Sequence, residues 1–178
     1  MIVLGLAGSL RRGSYNRRLL QAAAGALPPG AHLVAFEDLA DIPAYNDDER
    51  GGEAVTARRD AISAADAVLI ATPEYNASVP GQLKNALDWV SRPFPDNVLH
   101  RKPVAVIGAS TGLFGAVWAQ AELRKILTTI GAAVLDRELA VGLADDAFDS
   151  GDNLVDPDLN SALADIVRQL VATAQVAA

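Results

Sequence analysis

Short apolar runs alternate with amphipathic helical patterns along the whole chain, and this alternation limits the fold more than any other feature of the sequence. The apolar runs are residues 2–7, 33–36, 67–71, 104–108 and, more weakly, 133–135, and the helical patterns cover residues 16–27, 53–65, 81–90, 116–130 and the segment from Pro157 onward. A continuous apolar run is typical of a parallel strand that is buried on both faces. The order therefore predicts an α/β fold, a doubly wound five-stranded parallel sheet of order 2-1-3-4-5 between two layers of helices.

The composition restricts the class of protein. The chain has 178 residues, 51% of them hydrophobic, which predicts a single domain over 1–178. A net charge of −7 opposes binding to nucleic acid or to an anionic membrane. There is no cysteine, so redox chemistry would need a bound cofactor. No apolar run is long enough to span a bilayer, and residues 1–7 lack the basic lead of a signal peptide, so we expect a cytoplasmic protein.

The loop after the first strand has the composition of an anion site. It reads Gly8-Ser9-Leu10-Arg11-Arg12-Gly13-Ser14-Tyr15-Asn16 and offers hydroxyls, an amide and a guanidinium at the start of a helix, where free N–H groups favour an anion. A nucleoside triphosphatase loop would need lysine at Ser14 and serine or threonine at Tyr15. The three-glycine dinucleotide pattern is also absent, although Glu37 could imitate its ribose-binding acid.

The loop after the third strand, Thr72 to Gly81, is long, polar and made rigid by two prolines and a glycine. It would direct backbone donors and acceptors outward, which suits the edge of a flat heteroaromatic ligand. In a sheet of order 2-1-3-4-5 the strands one, three and four are neighbours, so their following loops meet at one edge. A phosphate loop beside two such loops predicts a mononucleotide site with an aromatic ring.

The loop after the fourth strand, Gly108-Ala109-Ser110-Thr111-Gly112, also matches the nucleophile elbow of serine hydrolases. In that fold the catalytic histidine follows the serine, whereas His32 and His100 both precede it. The elbow therefore lacks its general base, and a tight turn whose Ser110 contacts a ligand is the better interpretation. Neither histidine has a second metal ligand at suitable spacing, and the acidic segment 145–158 does not match a calcium loop, so no metal site is predicted.

At these loops the chain resembles the NADPH-dependent FMN reductase family, flavodoxin-like enzymes that include quinone and chromate reductases. The resemblance rests on GSLRRGSYN at 8–16, TPEYNASVPGQLKNALDW at 72–89 and AQAELRKIL at 119–127. It implies that Ser9, Arg11, Ser14 and Asn16, with Tyr15 in the same loop, hold the FMN phosphate. It also implies that Pro73, Glu74, Tyr75 and Asn76 border the isoalloxazine and that Ser110 completes the pocket. Trp118 stands where related proteins usually carry an arginine, so the preference between NADPH and NADH is not predicted.

The resemblance implies an FMN-dependent NAD(P)H oxidoreductase that passes electrons to a quinone, flavin, azo compound or chromate-like oxidant. The chemistry would belong to the cofactor, so no catalytic side chain is required, and one open flavin face predicts ping-pong kinetics. The alternative is a flavodoxin-type electron carrier or a redox sensor without efficient NAD(P)H turnover. Relatives are commonly dimers or tetramers, and Tyr45 and Trp89 are candidates to wall the flavin of a partner subunit.

Overall fold

The computed structural model describes residues 1–177 and has the predicted α/β architecture. The strands are β1 (Ile2–Ala7), β2 (His32–Phe36), β3 (Ala67–Thr72), β4 (Pro103–Ala109), β5 (Ala133–Val134) and β6 (Ala140–Val141), and the helices are α1 (Tyr15–Ala26), α2 (Gly52–Ala64), α3 (Gly81–Val90), α4 (Val117–Ile130) and α5 (Pro157–Ala177). All strand pairs are parallel, and the order is β2-β1-β3-β4-β5. The predicted order 2-1-3-4-5 is confirmed.

The fifth position of the sheet is divided between two short strands. β5 pairs with Pro103 and Val104 at the start of β4, and β6 pairs with Gly108 and Ala109 at its end. The sequence predicts β5 but not β6. Between them the exposed, charged segment 136–138 leaves the edge of the sheet, which explains why no continuous apolar run marks this strand.

The core consists of two apolar layers, one on each face of the sheet. α1 and α5 cover one face, with Leu19 and Leu170 among the fully buried side chains. α3 and α4, with the end of α2, cover the other face, where Leu83 and Leu123 are fully buried. Every residue of β3 and β4 is buried, as expected for central strands of a sheet that is covered on both faces. No helix within residues 1–177 is both long and apolar enough to cross a membrane.

Trp89 packs inside its own chain. It is 2% exposed, forms an edge-to-face pair with Tyr45 at 5.0 Å between ring centroids, and donates its indole N–H to the carbonyl of Pro43 over 2.8 Å. The expectation that Trp89 walls a partner's flavin is therefore wrong. Its role is to hold the segment after β2 against α3.

Candidate functional site

The loops after β1, β3 and β4 meet at the carboxyl edge of the sheet and enclose a small cavity of about 80 Å³. Its lining residues are Ser9, Arg11, Ser14, Tyr15, Asn16, Pro73, Glu74, Tyr75, Ala109, Ser110 and Thr111. These include every predicted site residue except Asn76, which lies on the exposed hairpin turn beyond them. Ligand pockets usually hold about 300–1,000 Å³, so only one end of a nucleotide would enter this cavity, and the rest would lie on the surface between the loops.

The start of α1 has the features of an anion site. Ser14 occupies the N-cap position, but its side chain does not cap the helix, and the first turn contains no acidic residue. The Ser14 residue is 3% exposed, and its Oγ has no hydrogen-bond partner in residues 1–177. A buried hydroxyl without a partner is costly. Since the helix dipole at this end is positive and Arg11 lies beside it, an anionic group bound here would accept a hydrogen bond from the Ser14 hydroxyl and offset the positive charge.

Asn16 joins the first loop to the third. Its residue is 2% exposed, its Nδ2 donates to the carbonyl of Ala109 over 2.9 Å, and its Oδ1 accepts the Ala109 N–H over 3.0 Å. The ladder between β3 and β4 ends at the pair of Thr72 and Gly108. The Asn16 side chain thus takes the place of the missing strand partner of Ala109. Of the two N–H groups of its amide, only one remains to donate to a ligand.

Tyr15 connects the cavity to the segment that precedes α5. Its hydroxyl donates to Oδ1 of Asp145 over 2.5 Å, and its ring stacks on Phe148 with 6.3 Å between centroids. The hydrogen bond to Asp145 raises the pKa of Tyr15 above its ordinary value of 10.0. The guanidinium of Arg11 lies 5.8 Å from the centre of the same ring, so Tyr15 also positions the Arg11 side chain.

The loop between β3 and α3 contains a tight hairpin turn. Tyr75 and Ser78 exchange two backbone hydrogen bonds of 3.2 Å, and Asn76 and Ala77 between them have φ angles of 53° and 58°. Two consecutive residues with positive φ are typical of a type I′ turn. The loop therefore uses some of the backbone groups that the sequence predicts to point outward, and it presents Tyr75, 47% exposed, at its rim.

Two carboxylates fix this loop against α4. Oε2 of Glu74 accepts the N–H of Ala119 in the first turn of α4 over 3.0 Å, and the N-cap residue of α4, Ala116, provides no cap of its own. Glu122 accepts the Ser78 hydroxyl over 2.7 Å and the Val79 N–H over 3.1 Å. These bonds to Ser78 and Val79 lower the pKa of Glu122 below 4.5.

Ser110 lies at the cavity without a catalytic base. Its Oγ accepts the N–H of Gly112 over 3.2 Å, and its backbone N–H donates to Val141 over 3.0 Å. His32 begins β2 and His100 precedes β4, so both lie at the amino edge of the sheet, opposite Ser110. This arrangement supports a tight turn with a ligand-facing hydroxyl and excludes a triad with either histidine.

Sequence reasoning missed three residues that position the site: Glu122, Asp145 and Gln120. Gln120 is fully buried, and it links the carbonyl of Gly115 to the N–H of Leu139 across 3.1 and 3.3 Å. Gln120 could have been found from the sequence, because it is a polar residue within the apolar stripe of α4. Glu122 lies in the motif at 119–127, but the motif does not indicate its partners, and Asp145 had no signal, because it is exposed and its partner is remote in sequence.

Comparison with known proteins agrees with this geometry. The sequence profile of the family described as NADPH-dependent FMN reductase matches residues 1–146. An NAD(P)H-dependent FMN reductase of Pseudomonas aeruginosa is 46% identical over 158 residues, which are 86% of this chain and 84% of the relative. The quinone reductase of Escherichia coli (strain K12) is 42% identical over 144 residues, covering 79% of this chain and 76% of the relative.

A solved structure extends the similarity to nearly the whole chain. FerB, a flavoenzyme NAD(P)H:(acceptor) oxidoreductase from Paracoccus denitrificans, superimposes with a TM-score of 0.88 at 34% identity, over 98% of this chain and 97% of that one. Sequence profile, relatives and fold agree with one another and confirm the resemblance. The chain belongs to the NADPH-dependent FMN reductase family.

Proposed function

We propose that the cavity at the start of α1 holds the phosphate of FMN. The observation that carries this proposal is the buried Ser14 hydroxyl, which has no partner and lies at an uncapped, positive helix end beside Arg11. Ser9, Asn16 and Tyr15 line the same cavity. The isoalloxazine would extend from there along Pro73, Glu74 and Tyr75, with Asn76 at the far end of the loop and Ser110 on the opposite side.

The chain is a flavoenzyme that uses FMN and NAD(P)H, as its family membership establishes. Bound FMN would supply the redox chemistry, which is the uptake of a hydride from NAD(P)H and the release of electrons to an acceptor. The protein's own part is to bind and orient. The Asn16 and Glu74 contacts hold the three loops in fixed positions relative to one another, so the site is arranged before any ligand arrives.

A quinone is the acceptor that this surface suits best. Phe114 and Trp118 form an edge-to-face pair at 5.2 Å and are 59% and 50% exposed. They lie beside the site because Ala119, the residue after Trp118, bonds to Glu74. Flat apolar rings stack on such a surface. Two relatives point to the same acceptor class: the E. coli quinone reductase and a 2-hydroxy-1,4-benzoquinone reductase of Burkholderia, 39% identical over 154 residues.

Ping-pong kinetics follow if NAD(P)H and the quinone use this open surface in turn. Initial rates measured at several fixed quinone concentrations should then give parallel double-reciprocal plots against NADPH. Intersecting plots would mean that both substrates bind at once, and the shared surface would have to be abandoned. We also infer a cytoplasmic homodimer or homotetramer, because association would cover Phe94, which is 63% exposed and lies outside the three loops, and sedimentation velocity measures that state.

Arg11→Ala tests the phosphate site. Loss of a charge-assisted hydrogen bond costs about 1.5–3 kcal/mol, so the Kd for FMN should rise roughly 10- to 150-fold. Calorimetric titration of the flavin-free protein measures it. Arg101→Ala is the matched control, since Arg101 is exposed and precedes β4, at the amino edge of the sheet and opposite the three loops. Equal FMN affinity in the two variants would place the phosphate elsewhere.

A further inference from the structure

A second cavity lies behind the start of α1, between that helix and β2, and has a volume of about 350 Å³. Its floor is apolar and includes Leu20, Leu33 and Phe36. Its rim is formed by Arg12, Arg17 and Arg18 together with the acidic residues Glu37 and Asp152. An apolar floor under a rim of net positive charge has the chemistry that recognises a nucleoside phosphate, in which a flat base is joined to an anion.

Two of the three arginines are already neutralised. Nε of Arg17 lies 3.3 Å from Glu37, and Nε of Arg18 lies 2.5 Å from Asp152. Arg12 makes no ion pair or side-chain hydrogen bond with any residue in the range 1–177. The rim therefore carries one uncompensated positive charge, in a chain whose net charge is −7, and an anion would be its natural partner.

Ser14 joins this cavity to the phosphate site. It lines both cavities, and its buried Oγ has no partner among residues 1–177. A group bound in the second cavity would thus lie next to the phosphate proposed for the first. Two phosphates bound side by side at the start of α1 would have the arrangement of a pyrophosphate. The phosphate in the first cavity would belong to a flavin mononucleotide, and the one in the second cavity would belong to an adenylate.

We propose that the cavity lined by Arg12, Ala35 and Phe36 is an adenylate subsite, which lets this protein bind FAD in its flavin site as well as FMN. The proposal rests on the FMN phosphate site proposed above. Adenosine 5′-phosphate, the group that this subsite would bind, is present in NAD(P)H as well as in FAD. The flavin source is favoured because Ser14 places the second cavity directly beside the flavin phosphate, whereas the nicotinamide must approach the ring at the other end of the site.

Calorimetric titration of the flavin-free protein with FMN and with FAD provides the test. Arg12→Ala removes the unpaired charge, and Ala35→Phe fills the cavity from β2. Val34→Phe is the matched control, because Val34 is the neighbouring residue on the opposite face of the same strand and is 47% exposed. We expect Arg12→Ala to raise the Kd for FAD about tenfold, the effect of one charged hydrogen bond. Ala35→Phe should raise it by about tenfold or more, because its ring would occupy the space of the adenine. Both variants should leave the Kd for FMN within about twofold.

The outcomes separate this inference from the function on which it rests. If the wild-type protein binds neither flavin, the phosphate site itself fails. If FMN binds normally but FAD affinity is unaffected by Arg12→Ala and Ala35→Phe, the adenylate lies outside the cavity and the inference is overturned. It is equally overturned if these variants raise the KM for NADPH while FAD binding is unchanged, because the cavity would then belong to the nicotinamide nucleotide. Thermal unfolding and FMN binding of each variant verify that it folds.

Discussion

Asn16→Ala should destabilise the protein even when no flavin is bound. The Asn16 amide is 2% exposed and makes two hydrogen bonds with the backbone of Ala109. Alanine at this position leaves the N–H and the carbonyl of Ala109 without partners beyond the last pair of the β3–β4 ladder. The variant therefore tests whether Asn16 serves the fold before it serves a ligand.

The expected loss of stability follows from the N–H and the carbonyl of Ala109, the two groups that would lose their partners. Each buried polar group left unsatisfied costs about 1–3 kcal/mol. Alanine regains up to about 0.6 kcal/mol of helix propensity, and water reaching Ala109 recovers part of the rest. We expect a net loss of about 2–4 kcal/mol, which in a chain of this length lowers the Tm by roughly 5–15 °C.

The assay is urea unfolding of the flavin-free protein, with Ser14→Ala as the matched variant. The Ser14 hydroxyl is buried without a protein partner in the described chain, so its removal should leave the free energy of unfolding unchanged or raise it by up to about 1–3 kcal/mol, while it weakens FMN binding. The two substitutions are two residues apart and should have opposite profiles. A stability loss below about 0.5 kcal/mol for Asn16→Ala would refute the reasoning, as would an equal loss in both variants.

Three further substitutions test other parts of the site. Ala77→Gly should stabilise the protein by up to about 1 kcal/mol, because glycine tolerates the positive φ of the hairpin turn, and urea unfolding would show no gain if the turn were absent. Glu122 has a lowered pKa, so its contribution to stability is present above its ordinary pKa of 4.5 and is lost as the pH falls through the lower folded value. Glu122→Gln should accordingly flatten the acid limb of the stability profile, and an unchanged limb would contradict the Ser78 and Val79 bonds. The pKa of Tyr15 is raised above 10.0, so its contribution is present below that pH and is lost as the pH rises through the folded value, and Tyr15→Phe should remove a late-titrating tyrosine from the absorbance titration.

The sequence predicts the sheet well because its strands are strongly apolar and regularly separated. β3 and β4 are buried at every residue, so their continuous apolar runs identify them without other information. β6 escapes prediction because it has only two residues. Its position depends on a close approach of Gly115, where any Cβ atom would lie 2.5 Å from the carbonyl carbon of Ala140. Such an approach between segments remote in sequence has no local signature.

The candidate site is only partly predictable for a similar reason. Topology brings three loops together, and the cavity contains nearly every residue that the motifs suggest. Composition alone does not show which polar groups the protein itself uses. Asn16, Tyr15 and Glu74 bond to residues 93, 130 and 45 positions away, and these partners become visible only once the chain is folded.

The role of a polar side chain in the site depends on whether it is already hydrogen-bonded to the protein. Residues whose side chains are bound to the protein, such as Asn16, Glu74 and Glu122, fix the geometry of the loops, and their loss should appear first in stability. The side chains of Ser14 and Arg12 have no protein partner in residues 1–177, so their loss should appear first in ligand affinity. Since the two lie on the walls of adjoining cavities, FMN affinity should respond to Ser14→Ala alone, whereas FAD affinity should respond to both Ser14→Ala and Arg12→Ala. A response of FMN affinity to Arg12→Ala as large as that of FAD would merge the two cavities into one phosphate site.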